Sequence, residues 1–290
     1  MTRERATAIG FAAVVLWAFF ALLIVATAPM PPLLVNTVVF TVAGLAGLGW
    51  TAARGRLGLL ARVPAVVYAI GVGGLFGYHL LYVHALRLAP PAEAMLVGYV
   101  WPLLIVLGST FLPGEVLRPG HVLGGAVAFA GAGLVVLGGG GFGGGALPGY
   151  LMSLGAAMVW AVYSLLSRRF GRIPTDVVGV FCLGTAALAL PLHLLTEATV
   201  WPAAGRGWAV LVALGLGPVG FAYFAWDIGM KQGNVQLLGV ISYATPLLST
   251  LILVLAGVTE PRPVLLVSAV LISSGALIAA RAGLRRPTPG

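Results

Sequence analysis

The chain has 290 residues, of which 60% are hydrophobic and only 8% charged, with a mean hydropathy of +1.06. A soluble domain carries about 25% charged residues, so a water-facing surface is excluded and an all-α polytopic membrane protein is expected. The net charge of +9 does not point to nucleic acid, because the arginines lie between apolar runs, where membrane orientation requires them.

A membrane span needs about 20 apolar residues. Ten stretches meet that need: 7–27, 33–53, 64–87, 92–112, 120–138, 148–167, 175–196, 207–230, 234–257 and 263–281. Runs of this length are helices, since barrel strands are about 10 residues long and alternate. The first follows Met1-Thr2-Arg3-Glu4-Arg5 and ends at Ala26-Thr27-Ala28, which looks like a cleavage site. The run is longer than the roughly 7–15 apolar residues of a signal peptide, so it is expected to remain as the first span. It carries Trp17 and Phe20.

The third span carries Tyr78, His79, Tyr82 and His84, and the spacing of Tyr78 and Tyr82 puts them on one helix face. A turn at Pro90-Pro91 leads to the fourth, with Glu93, Tyr99 and Trp101, broken by Pro102. The sixth holds Trp160, Tyr163 and Ser164, and the eighth Tyr223, Trp226 and Asp227. The ninth holds Asn234, Gln236, Ser242 and Tyr243, broken by Pro246. Lipid-facing aromatics usually sit at headgroup level, whereas Trp17, Tyr82, Tyr99, Trp101 and Trp160 fall near mid-span. Any one ring is better explained by core packing. The set reads as a cavity lined by rings that stack on a planar or apolar substrate.

An ionisable residue inside the membrane is a functional candidate by default. His79 could meet a substrate carboxylate or carry a proton, against the plain reading of a satisfied core histidine. His84, nearer the outer end, reads as interfacial. Asp227 and Lys231 stand i,i+4 with the acid first, which reads as a structural pair. Glu93 opens its span, where an acid suits a helix N-terminus. Gly73/Gly77 and Gly120/Gly124 place small residues on one face and read as close helix packing.

A shift of 144 residues carries Pro102 onto Pro246, Tyr99 onto Tyr243, Arg87 onto Lys231, Gly131 onto Gly275 and Arg118-Pro119 onto Arg262-Pro263. The chain therefore reads as a duplicated five-span unit, 1–138 and 148–284, joined by a Gly-rich linker at 139–147. An odd number of spans makes the second copy enter from the opposite side, so the halves are inverted, an arrangement of secondary transporters with binding at the midplane between repeats. Each proline removes a backbone donor and is expected to free the carbonyl of Gly98 or Ser242. A bare carbonyl in lipid is costly, so these breaks should face protein or a wet cavity.

With the N-terminus placed in the cytoplasm, only Arg87, Arg206 and Arg262 of the 16 lysines and arginines fall outside. Both termini are expected to be cytoplasmic. Enzyme chemistry finds little support. Asp176 and Asp227 are the only aspartates, no Walker A, HExxH or GxSxG motif is present, and the single cysteine, Cys182, can form no internal disulfide. No cofactor, metal or nucleic acid is expected.

The duplicated unit, Tyr99-x-Trp101-Pro102, Tyr243-x-Thr245-Pro246 and the loops with Glu115/Arg118-Pro119 and Glu260/Arg262-Pro263 resemble the EamA-type drug/metabolite transporters over nearly the whole chain. Within them the chain is similar to the bacterial aromatic amino acid exporters. The resemblance implies ten transmembrane helices in two inverted repeats around a central cavity lined by spans 1, 3, 4, 6, 8 and 9. It implies export of phenylalanine, tyrosine, tryptophan and related compounds across the bacterial inner membrane, with Trp17, His79, Tyr82, Tyr99, Trp101, Trp160 and Tyr163 along the cavity. A monomer is one expected state. Tyr78 and Tyr243 complete the expected substrate-binding set. Small multidrug exporters use a glutamate in the first span; this span has none. A nucleotide-sugar or drug carrier of the same fold is the alternative reading, with an intramembrane enzyme behind it.

Overall fold

The computed structural model describes residues 1–89, 91–137, 146–203, 205–257, 260 and 263–284. Pro90, most of the 139–147 linker, Arg262, Arg285 and Arg286 lie outside the described residues, as does the side chain of Glu93.

Helices account for the architecture, with no β-strand among the described residues. They are α1 (Arg3–Val25), α2 (Pro32–Ala53), α3 (Ala65–Leu88), α4 (Pro91–Gly98), α5 (Trp101–Phe111), α6 (Pro119–Leu137), α7 (Leu147–Arg169), α8 (Val177–Thr196), α9 (Gly205–Gln232), α10 (Val235–Ile241), α11 (Ala244–Leu255) and α12 (Val264–Leu284). α1, α2, α3, α7, α8, α9 and the combined stretch Val235–Leu255 are each long and apolar enough to cross a membrane. α5 and the Leu266–Ala282 part of α12 are shorter apolar helices. The chain is thus an all-helical, multi-pass membrane protein.

In lipid every backbone polar group must be paired within the protein, and a helix does this locally. Side-chain hydroxyls follow the same rule. Thr37, Thr41, Thr51 and Ser242 donate to the carbonyls of Leu33, Thr37, Gly47 and Leu238, one turn back in each case. The broken helices appear where the prolines predict. α4 gives way to α5 just before Pro102, and α10 to α11 at Ser242–Tyr243. A third break lies inside α9, where Gly215–Phe221 widens into a π-helix around Pro218.

α3 packs on α7, α2 on α8, α6 on α12, α5 on α10, and α1 on the Ala222–Gln232 end of α9. Glycines set these approaches. A Cβ on Gly124 would lie 2.5 Å from the carbonyl of Gly275, and one on Gly44 2.9 Å from that of Gly179. Gly120 is equally tight, 2.7 Å from Ala282. The Gly73/Gly77 pair differs from expectation. Nothing lies within 4 Å of Gly73, and the neighbouring Gly71 and Gly74 make the close approach instead, to Phe181 and Tyr163. The apolar face of α3 is rotated from the one that a bare GxxxG spacing suggests.

Ion pairs pin both ends of the bundle. At one end Glu115 accepts from Arg3 and Arg168, and Arg168 also donates to the carbonyl of Lys231. Arg118 donates to the carbonyl of Ala282 at the same end, so the start of α1 and the end of α12 lie together. At the other end Glu197 accepts from Arg87, from the backbone N–H of Leu33 and lies 3.1 Å from His193 Nδ1.

Candidate functional site

A cavity of about 350 Å³ lies between α1, α3, the α4/α5 break, α7, the π turn of α9 and α11. That is within the range of small-molecule sites. α1 contributes Trp17 and Phe20, and α3 contributes Tyr78, His79 and Tyr82. The α4/α5 break contributes Gly98, Tyr99 and Trp101, and α7 contributes Trp160. α9 brings Pro218 and Tyr223; α11 brings Thr245, Pro246 and Ser249. Among the described residues no lysine, arginine, aspartate or glutamate lines it.

The rings form a connected shell around Trp17. Its centroid is 5.6 Å from Trp160, 6.3 Å from Trp101 and 5.2 Å from Trp226, mostly edge to face. Such offset and edge contacts are the favoured aromatic geometries. Tyr78 stacks on Tyr82 with planes 7° apart, the face-sharing that their i,i+4 spacing predicts. Indole N–H groups need partners when buried. Trp17 Nε1 donates to the carbonyl of Pro218 at 3.0 Å, and Trp226 Nε1 to Ser164 Oγ at 3.0 Å. The first bond fixes the central ring to the π turn.

His79 is buried between these rings, 4.8 Å from the Phe40 centroid. Its Nδ1 lies 2.8 Å from the carbonyl of Leu75. A carbonyl only accepts, so Nδ1 carries a proton and, in the neutral ring, Nε2 is the acceptor. The hydroxyl of Tyr223, 3.2 Å away, donates to Nε2. His79 and Tyr223 stand 144 residues apart, the same shift that superposes the two prolines.

The structure brings together Trp17, Tyr78, His79, Tyr82, Tyr99, Trp101 and Trp160 on one cavity, with Gly98 and Pro246 beside them. Tyr163 stands one layer below, 4% exposed, its ring 5.4 Å from Trp160. Tyr243 is fully buried against Phe129, 5.8 Å between centroids, away from the lining. Pro102 and Ser242 are also buried outside it. The carbonyl of Ser242 is not bare: it accepts the backbone N–H of Thr245 at 3.1 Å, in a tightened turn that bridges the break.

Below Tyr163 and Trp226 the floor becomes ionic. Asp227 and Lys231 pair at 2.7 Å, both nearly inaccessible. Asp227 also accepts from Ser167 and Thr175, and Lys231 donates to the carbonyl of Ile173. Every polar group of the pair is used, as a structural pair requires. Pro218, Phe20, Tyr223, Thr245 and Ser249 were not among the expected lining residues. Pro218 carried the same signal as the other two prolines, a helix breaker inside an apolar run. Tyr223 was marked by its 144-residue relation to His79. Thr245 stands at the register position of Trp101, and nothing in the sequence singles out Ser249.

Residues 5–137 and 147–281 each match the EamA-like transporter family. A protein of Ancylobacter novellus named aromatic amino acid exporter YddG is 52% identical over 96% of this chain and 98% of its own length. Proteins of the same name from Salmonella typhimurium and Escherichia coli are 30% and 27% identical, each over 86% of this chain and 88% of their own. A solved crystal structure, 51% identical, superposes with a TM-score of 0.93 over 98% of this chain and all of that one.

Proposed function

The chain belongs to the EamA-like transporter family, and on that premise we propose that it exports aromatic amino acids by alternating access. The observation that carries the reading is the wall of the cavity: a shell of tryptophan and tyrosine rings with, among the described residues, no charged side chain. Rings offer stacking and apolar area to an aromatic side chain. The names of the relatives agree with this substrate class. A nucleotide sugar fits poorly, since its diphosphate calls for the arginine or lysine that this lining lacks.

The architecture we infer is ten transmembrane helices in two inverted repeats, 1–138 and 148–284, linked by 139–147. The packing supports it: α3 on α7 and α1 on α9 are counterparts under the 144-residue shift, while α2–α8 and α6–α12 are each their own counterpart. The charge bias supports both termini in the cytoplasm, and the bacterial relatives support an inner-membrane location. The cavity then lies toward the outer face, with the Glu115–Arg168 and Asp227–Lys231 contacts closing the cytoplasmic end. No cofactor, nucleic acid or second subunit enters this scheme.

Liposomes containing the purified protein are expected to take up labelled tryptophan or phenylalanine faster than empty ones. If no amino acid is taken up, while a nucleotide sugar raises the melting temperature by mass action, the export reading fails.

A further inference from the structure

Hydroxyls on the helices of this chain characteristically donate one turn back, as Thr37, Thr41, Thr51 and Ser242 do. Thr185, Thr245 and Ser268 depart from this, and of the three only Thr245 is among the cavity-lining residues. It is 7% exposed, and its Oγ1 is buried with no hydrogen-bond partner. The break at Ser242–Tyr243 falls between it and Ile241, the residue one turn back. A buried orphan hydroxyl is uncommon in a native structure and asks for a partner. Thr245 lines the cavity, and so does Ser249, one turn further on the same face. Ser249 has no hydrogen-bond partner among the described residues either.

An amino acid brings an ammonium and a carboxylate into this cavity. Ring faces are negative and attract the cation. They offer nothing to the anion, and a carboxylate moved from water without donors is strongly disfavoured. Among the described residues no lysine or arginine lines the wall to meet it. Hydroxyl groups do so through short, charge-assisted bonds. We propose that Thr245 and Ser249 form the subsite for the α-carboxylate of the transported amino acid. The inference rests on the export reading above. It also orients the substrate, with the carboxylate on α11 and the side chain toward Trp17, Trp101 and Trp160.

The test compares tryptophan with tryptamine, which keeps the ring and the amine and lacks the carboxylate. Dissociation constants for both are measured on the purified wild type, Thr245→Val, Ser249→Ala, the double variant and Thr245→Ser. The wild type is expected to prefer tryptophan. The double variant should weaken tryptophan binding about tenfold, the effect of one or two lost charge-assisted bonds, with tryptamine binding unchanged. Thr245→Ser should retain the preference. A preference that survives in the double variant, or is absent in the wild type, overturns the assignment. Equal losses for both compounds overturn it too, since they mark a packing role. Should Thr245→Val fail to fold, Ser249→Ala at its partly exposed position carries the same comparison. A wild type that binds no aromatic amino acid removes the export reading itself, which is a different outcome.

Discussion

The two broken helices show how far equal sequence gives equal surroundings. Tyr99 and Trp101 precede one break, Tyr243 and Thr245 the other, and each pair is followed by a proline. In the α4/α5 break Tyr99 and Trp101 line the cavity, while Pro102 turns into the protein. In the α10/α11 break the tyrosine and the proline exchange roles: Pro246 lines the cavity beside Thr245, the counterpart of Trp101, and Tyr243 is buried against Phe129. One break supplies rings and the other supplies a hydroxyl and a proline. The duplicated backbone makes the space, and the side chains make it one-sided, as an asymmetric substrate requires.

The sharpest way to break this contrast is Trp101→Ala. It removes a ring that touches Trp17, Trp160 and Trp226, and tryptophan flux into liposomes should fall by about tenfold or more. The outer stacked pair, Trp201 and Trp208, serves as control, and Trp201→Ala should leave flux unchanged. Next in size is Pro246→Ala against Pro102→Ala. Restoring an N–H on the cavity wall should lower flux severalfold, and the buried site should respond mainly in melting temperature.

The His79–Tyr223 bond joins two positions that the 144-residue shift makes equivalent. A double-mutant cycle with His79→Ala and Tyr223→Phe, read as substrate affinity and melting temperature, should give a coupling of about 1 kcal/mol. Additive effects would mean that the bond holds nothing in place. The smallest effect is expected of the paired tyrosines. Tyr99→Phe should weaken tryptophan binding about twofold to threefold, the loss of one modest hydrogen bond to substrate. Tyr243→Phe should leave binding within error. Equal responses would erase the distinction between the two breaks.

The apolar run lengths were enough to find the seven helices long enough to cross a membrane, because a chain in lipid has few ways to pair its backbone. The rings near mid-span were legible for a related reason: aromatics at that depth are out of place on a lipid face. The exchange between Tyr99 and Tyr243 was not legible, since a register match says nothing about which way a helix is rotated. Gly73 failed in the same way, lying between Gly71 and Gly74, the glycines that do pack. The carbonyl of Ser242 was expected to be bare, and a local turn had already engaged it. Thr245 was invisible because its distinction is a bond that it does not make.

The indole of Trp17 hangs from the carbonyl of Pro218, inside a stretch of α9 coiled more loosely than the rest. Rewinding such a coil shifts its carbonyls around the axis. The ring suspended there touches four others, so it cannot swivel alone. Tightening one coil therefore reshapes the whole aromatic chamber, and the grip on cargo and the pitch of a single helix become one mechanical variable.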